Sequence, residues 1–330
     1  MRALVVTNLY PSEARPALGP FVRDQVEALR RRDDVEVELF TFPPGPRHYA
    51  PAARALHRRY RNKRFDVVHA HFGLCAWPAL AARAGPVVVT LHGNDLFHPV
   101  SCRITRAALP FVALPAAVSR EFSGLVPGAG TSRSVAILPV GVDLGRFRPI
   151  PRREARRHLG LTPDGPLLLF PHDPARPLKR HDRALEAAGG TRLETLGGVP
   201  PEEVPYWINA ANAVLVPSEA EGFGLAVIEA LACDVPVLGT PVGIHRVALE
   251  GIEGALCAEW DRDKWRAALA PHLADADPRV EGRGRAEAFG ADRMAGRVVA
   301  AWADVAAGGS HPRGLLSGRG LKRSGRRRLG

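Results

Sequence analysis

The chain has 330 residues, of which 46% are hydrophobic, and carries a formal net charge of +11. This length supports two domains of ordinary size, each with its own core, and no apolar run reaches the ~18 residues that a membrane-spanning helix requires. The four cysteines, Cys75, Cys102, Cys233 and Cys257, are too scattered for a zinc site or a disulfide framework. A cytoplasmic protein is expected, because "MRALVVTNLYPSEARP" passes from a short strand straight into a polar loop and does not read as a signal peptide.

In chain order, "RALVVTNLY" reads as a strand, "FVRDQVEALRRR" as a helix, "VEVELFTF" and "FDVVHAH" as strands, "AWPALAARAG" as a helix and "PVVVTLHG" as a strand. Continuous Val/Leu strands alternating with amphipathic helices imply a parallel sheet covered on both faces. The alternation stops at "LPVGVDLGRFRPIPRRE", a linker near residues 139–152. It restarts with "PLLLFPHD", a helix through "RALEAAGG", the strand "RLETLGG", the helix "VPYWINAAN", the strand "AVLVPSEAE", a further helix and "VPVLGT". The expected architecture is α/β, with two Rossmann-like, doubly wound domains: one over residues 1–150 and one over residues 153–290. The second leaves little room after its first helix, so its sheet is expected to have fewer strands. "DKWRAALAPHLA" has helical spacing, and "ADRMAGRVVAAWADVA", within residues 291–307, reads as an amphipathic helix packing back toward the amino-terminal domain. Residues 308–330 form a Gly/Ser/Arg tail expected to be disordered. The tail holds seven Lys or Arg and no acid, leaving +4 on the remainder, which weakens a nucleic-acid reading of the net charge.

Open parallel sheets bind ligands beyond the carboxyl ends of their strands. Five loops in that position carry unusual chemistry: "TNLYPSEARPALGPF", "HAHFG", "LHGNDLF", "FPHDPARPLKR" and "PSEAEGFG". A cleft between two domains would be lined by all five. In the last loop Gly222 and Gly224 allow close backbone approach, and the amides of Phe223, Gly224 and Leu225 open a helix whose dipole favours an anion. A simple strand-to-helix turn is the alternative reading. Arg176 and Lys179 stand in a proline-stiffened loop where they could meet a phosphate; a solvated basic loop is the alternative there. Glu221 and Glu229 flank an otherwise uncharged stretch, and a carboxylate in such a place faces water, a cation or the hydroxyls of a ligand. Cations and amides suit a diphosphate, and carboxylates suit sugar hydroxyls.

"SEAEGFGLAVIEALACDVPV" resembles the E-x7-E signature of the retaining glycosyltransferases of family 4, which have the GT-B fold, two Rossmann-like domains facing a central cleft. "GPFVRDQVEAL", "FDVVHAH", "VVVTLHGNDL", "LPVGVDLGRFRP" and "RPLKR" resemble further family segments in their expected order, so the likeness covers most of the chain. It implies transfer of a sugar from a nucleoside-diphosphate-sugar donor to an acceptor, with retention of anomeric configuration, no cofactor and no metal. By the same resemblance Glu221 contacts the transferred sugar and Glu229 the ribose. Arg176, Lys179 and the amides from Gly222 and Phe223 through Gly224 to Leu225 hold the diphosphate. His92 faces the donor sugar near the reacting carbon, and His92, Glu221 and Lys179 are the expected catalytic groups. Gly19 and Asp95 are expected on the acceptor side. Several positions depart from the family pattern: Asp234 and Arg180 replace glycines, Val140 replaces an asparagine, "HD" stands where a "GR" pair is usual, and "GIHRVAL" lacks an acid.

A histidine at a strand end is commonly a hydrogen-bonded structural group, and His69 and His71 make this edge of the sheet rich in histidine. For the acceptor, a glycan or lipid-linked glycan of the cell envelope is expected. The segment "ARALHRRYRNKRF", with six Lys or Arg and His57, suggests peripheral contact with an anionic inner membrane face. No nucleic-acid partner is expected. The alternatives are another nucleotide-sugar enzyme, such as an epimerase, or a non-catalytic nucleotide- or nucleic-acid-binding protein.

Overall fold

A computed structural model of the chain describes residues 1–128 and 134–308. Among the described residues the apolar runs form eleven strands in two separate sheets, and all pairings within the sheets are parallel. The first sheet holds β1 (Arg2–Thr7), β2 (Glu36–Thr41), β3 (Val67–His71), β4 (Val87–Leu91), β5 (Leu114–Ala117) and β6 (Ala136–Ile137), in the order β2-β1-β3-β4-β5-β6. The second holds β7 (Leu167–Phe170), β8 (Arg192–Thr195), β9 (Ala213–Val216), β10 (Val237–Gly239) and β11 (Leu256–Cys257), in the order β11-β10-β9-β7-β8. This is the α/β GT-B arrangement. As expected, the second sheet is the smaller. Strands β3, β4, β5, β7 and β9 are buried along their whole length, which is why β7 and β9 read as unbroken hydrophobic runs and β4 nearly so, rather than as alternating ones.

In each sheet the chain winds one way from the first strand and then returns to its other side. The switch points lie between β1 and β3 and between β7 and β9. A crevice forms where strand order reverses, because neighbouring loops there diverge to opposite faces. The cleft of this molecule is built at both switch points, with the carboxyl ends of the two sheets turned toward each other.

Two chain segments cross between the lobes and run side by side. Val142 N–H donates to the Phe289 carbonyl and Ala291 N–H to the Val142 carbonyl, each at 2.9 Å. Two arginines staple these crossings from the second lobe. Arg283 donates to the carbonyls of Leu144, Phe147 and Ala232 at 2.8–2.9 Å, and Arg279 to that of Ile150 at 2.7 Å. The helix Ala291–Ala306 then lies on the first lobe, its Met294, Val298, Trp302 and Val305 packed against Val5, Val26, Leu29 and Val88. The basic tail lies, apart from Gly308, outside the described residues.

Two of the departures from the family pattern have a conformational reading. Asp234 adopts a left-handed φ of 54° and satisfies the distant start of the helix Arg283–Glu287, its Oδ1 accepting from the amides of Gly282 and Arg283 at 3.0 and 2.7 Å. Arg180 likewise has φ 55°, ahead of the helix His181–Ala188, and forks onto Asp182. At Asp234 the short side chain recovers by hydrogen bonding part of what the strained backbone costs.

Trp302 is fully buried, and its Nε1–H donates to His69 Nδ1 at 3.2 Å across to β3. Trp302→Ala is expected to destabilise the chain by about 3–5 kcal/mol through the cavity it leaves. Urea unfolding checks this, and a change below about 1 kcal/mol would show that the last helix contributes little to the first lobe.

Candidate functional site

The facing strand ends enclose a cavity of about 1340 Å³, lined from both lobes. That exceeds the usual range for one small ligand, roughly 300–1,000 Å³. All five loops named from the sequence contribute to the wall, as do the linker residues Val140, Arg146 and Phe147. His92, Gly19, Arg176, Lys179, Glu221, Gly222, Phe223, Gly224, Leu225 and Glu229 all line it.

The lobes touch where the β4 loop meets the β9 loop. A β carbon on Gly222 would stand 1.9 Å from the His92 carbonyl oxygen, so only glycine allows this approach. Ser119 Oγ of the first lobe donates to the Gly222 carbonyl at 2.7 Å and fixes the contact. Gly224, with φ 102°, turns the chain into the helix Leu225–Ala232.

The two glutamates have opposite electrostatics. Glu221 is 7% exposed, and burial alone would push its pKa up. Lys179 Nζ, donating to both carboxylate oxygens at 2.6 Å, brings it down instead to about 2, assisted by His172 and His245. Ser218 Oγ adds a hydrogen bond at 2.8 Å. Burial lowers the pKa of Lys179, and Glu221 opposes this. Glu229, within the helix Leu225–Ala232, has no such ion pair among the described residues. Burial pushes it up to about 7 against the pull of Arg146, whose guanidinium is held by Asp24 of the first lobe. Glu221 is thus a fixed anion, and Glu229 is poised to gain from any hydrogen-bond donor that stabilises its charge.

Behind His92 runs a chain of hydrogen bonds that decides its tautomer. Gln25 Nε2 donates to His71 Nε2 at 3.2 Å, so the proton of His71 sits on Nδ1 and is donated to His92 Nε2 at 3.0 Å. His92 therefore carries its proton on Nδ1. Burial holds His69 and His92 well below the usual range and His71 at about 3, so the stack is uncharged. The ring of Phe21 closes on His92 at 4.9 Å. In this arrangement His92 is a neutral hydrogen-bond donor rather than a cation.

Asp95 differs from its expectation. It is fully buried and does not face the cleft; its carboxylate accepts from the amides of Gly73, His92 and Gly93. A carboxylate two or three residues past a turn satisfies turn amides more readily than it reaches outward, so Asp95 shapes the His92 loop instead of meeting an acceptor. The sequence reading also passed over groups that line or support the cleft. His172 lines it, is held neutral at about 3 by burial and by Lys179, and lies 3.9 Å from Glu221 Oε1. His245 donates from Nδ1 to the Thr240 carbonyl at 2.7 Å, leaving Nε2 beneath Gly224 with no partner among the described residues. The signal for both is a histidine just beyond a strand end, in "HD" after β7 and in "GIHRVAL" after β10.

Comparison with known proteins agrees with this geometry. A family model described as Glycosyltransferase Family 4 matches residues 5–146, and one described as Glycosyl transferases group 1 matches residues 167–275. D-inositol 3-phosphate glycosyltransferases are among the similar curated proteins. That of Actinosynnema mirum is 30% identical, the match taking in 74% of this chain and 73% of the relative. That of Mycolicibacterium paratuberculosis is 31% identical over 84% and 74%. For that of Segniliparus rotundus the figures are 32%, 52% and 46%, so the chain spans only part of these proteins. Among solved structures, sucrose-phosphate synthase from Thermosynechococcus elongatus superposes with a TM-score of 0.70 at 20% identity, covering 93% of this chain and all of that one. Anabaena HepE in complex with UDP-glucose gives 0.69 at 17%, covering 92% and 100%.

The Lys179–Glu221 pair makes a prediction about pH. Glu221 sits near 2 in the folded chain against the usual 4.5, so it adds stability above pH 4.5 that is lost as pH falls toward 2. In Lys179→Met burial acts on Glu221 without the counter-charge. The variant should be less stable than the parent by about 3–5 kcal/mol at pH 7, and the deficit should shrink toward pH 3 as Glu221 protonates. Urea unfolding at both pH values checks this; an equal deficit at both would mean the pair is not coupled.

Proposed function

The chain belongs to glycosyltransferase family 4, and from that membership we propose that it moves a sugar from a nucleoside-diphosphate-sugar donor to an acceptor hydroxyl with retention of anomeric configuration. The observation that carries the reading is the Lys179–Glu221 pair beside the Gly222–Leu225 turn, placed across the cleft from a neutral His92. A cation, turn amides and a carboxylate at one helix start match the charge pattern of a sugar diphosphate.

In this reading the diphosphate lies against Lys179, Arg176 and the amides from Gly222 to Leu225, and Glu229 takes the ribose hydroxyls. When the diphosphate arrives it competes with Glu221 for Lys179, which frees the Glu221 oxygens for sugar hydroxyls. As the bond between the anomeric carbon and the diphosphate oxygen breaks, its electron pair stays on that oxygen, where the cations and amides stabilise the growing charge more than they do in the ground state. The acceptor oxygen bonds to the same face of the anomeric carbon, and its proton passes to the departing phosphate oxygen. His92 donates from Nδ1 toward the sugar. No cofactor and no metal enter this scheme, and no side chain is asked to act as nucleophile.

Replacing Lys179 with Ala should lower turnover on the order of 10²-fold or more, the scale of losing one preorganised charge-stabilising group. Glu229→Ala should weaken binding of the free nucleoside diphosphate, whereas Glu221→Ala should spare it and impair only the sugar donor. Calorimetric titration of both variants separates these roles, and equal nucleotide binding by both would remove Glu229 from the ribose. Thermal shifts against UDP, GDP, ADP and their sugars identify the base, since a ligand that binds the folded chain raises its midpoint.

An acceptor of the cell envelope would bring the enzyme to the inner membrane face. No helix among the described residues is long and apolar enough to cross a membrane. The helix Tyr49–Tyr60 and the turn after it expose Arg54, Arg58, Arg59, Arg61, Lys63 and Arg64; Glu38 takes up Arg59 at 3.1 Å and Lys63 at 3.7 Å. Such residues give about 1 kcal/mol each near an anionic surface, less with salt. Neutralising Arg58, Arg59, Arg61 and Arg64 should weaken co-sedimentation with anionic vesicles, and truncation after Ala307 should weaken it too. Equal sedimentation of parent and variants at low salt would remove the membrane from the proposal.

A further inference from the structure

The first-lobe half of the cleft has a composition unlike the half that faces it. From Asn8 to Val118, the described residues that line the cavity include no Asp, Glu, Lys or Arg; the next cation along the chain, Arg146, lines it from the linker with its guanidinium held by Asp24, and Arg176, Lys179, Glu221 and Glu229 line the opposite half. The polar side chains of this wall are those of Asn8, Tyr49, Asn94 and Ser101 with the histidines His92 and His98. A phosphorylated acceptor would need a cation here to replace its hydration, and a fork of Arg or a Lys is the usual means.

At its outer end the same wall becomes apolar and stays exposed. Val100 and Ile104 stand one turn apart on the helix Pro99–Ala108 and are 56% and 38% exposed. Beside them Trp77 is 39% exposed, and its Nε1–H donates to the Ile104 carbonyl at 3.2 Å, which holds the indole against the helix. Phe72, Leu74 and Phe97 continue the surface inward. Exposed indole, valine and isoleucine on one rim form a patch that solvent does not favour. Because it is continuous with the cavity, whatever covers it enters with the substrate.

We propose that this rim is a subsite for the apolar aglycone of an uncharged acceptor, and that the acceptor presents its hydroxyl to the cleft through neutral hydrogen bonds. The proposal rests on the reading that the first lobe receives the acceptor. It separates this chain from an enzyme that recognises a phosphorylated polyol, because the described residues of this wall from 8 to 118 supply neither Lys nor Arg, and the guanidinium of Arg146 beside it is already taken up by Asp24.

The test titrates three probes into the full chain saturated with its nucleoside diphosphate: octyl glucoside below its micelle concentration, methyl glucoside, and D-inositol 3-phosphate. Octyl glucoside should bind at least about 10-fold more tightly than methyl glucoside, since burying even two methylenes supplies that much. D-inositol 3-phosphate should bind more weakly than octyl glucoside. In Val100→Ser with Ile104→Ser the octyl-to-methyl ratio should fall toward 1; the Trp77 bond to the backbone of residue 104 is kept, and an unchanged melting midpoint confirms folding. Equal binding of the two glucosides, a ratio that survives in the variant, or a preference for D-inositol 3-phosphate would overturn the proposal. Sugar transfer is read separately by acceptor-dependent nucleotide release. An alkyl preference in binding without transfer onto any acceptor would overturn the transferase reading alone, and transfer without the preference would overturn the subsite alone.

Discussion

The arrangement of the cleft depends on one close approach, that of the Gly222 backbone to the carbonyl of His92. No side chain can stand between them, and Ser119 pins the Gly222 carbonyl from the opposite lobe. The contact sets how far the helix Leu225–Ala232 lies from His92. It also explains why the strand ends must be glycine-rich: a β carbon at this point would push the lobes apart and lengthen the reach between the groups that meet across the cavity. The distance of His92 from the Lys179–Glu221 pair follows from that separation.

Within that geometry the two carboxylates of one short stretch are tuned in opposite directions by their neighbours. Glu221 has an ammonium on both oxygens and stays ionised well below neutrality; Glu229 has its cation occupied by Asp24 and is pushed up toward neutrality. Their spacing is written in the sequence, but their chemistry is not. It comes from Lys179 on a loop 42 residues earlier and from Asp24 on the first helix. The same holds for the histidine stack, in which Gln25 decides where the proton of His92 resides.

Periodicity therefore carried the fold further than it carried the site. The alternation of Val/Leu runs with amphipathic stretches was enough for two parallel sheets, because strands buried on both faces must be apolar throughout. It missed β5, β6 and β11, which are two to four residues long, and in β5 contain Pro115, so that no run stands out. The glycines of the β9 loop and the two glutamates were legible because their residue types are unusual where they stand. Asp95 was misjudged for the same reason: a carboxylate beside "HGN" has the composition of a ligand-facing group, and only the three-dimensional path of the loop turns it onto amides. His172 and His245 could have been found by asking which side chains follow the ends of β7 and β10.

The two segments that cross between the lobes have a consequence for motion. A single flexible tether would let one lobe both bend and twist against the other. Here the crossings are bonded to each other at Val142 and stapled by Arg279 and Arg283, so twisting would shear those bonds while bending about the line through them would not. The crossings therefore leave the lobes one angular coordinate of relative displacement, and the Ser119–Gly222 bond acts as a latch at its closed end.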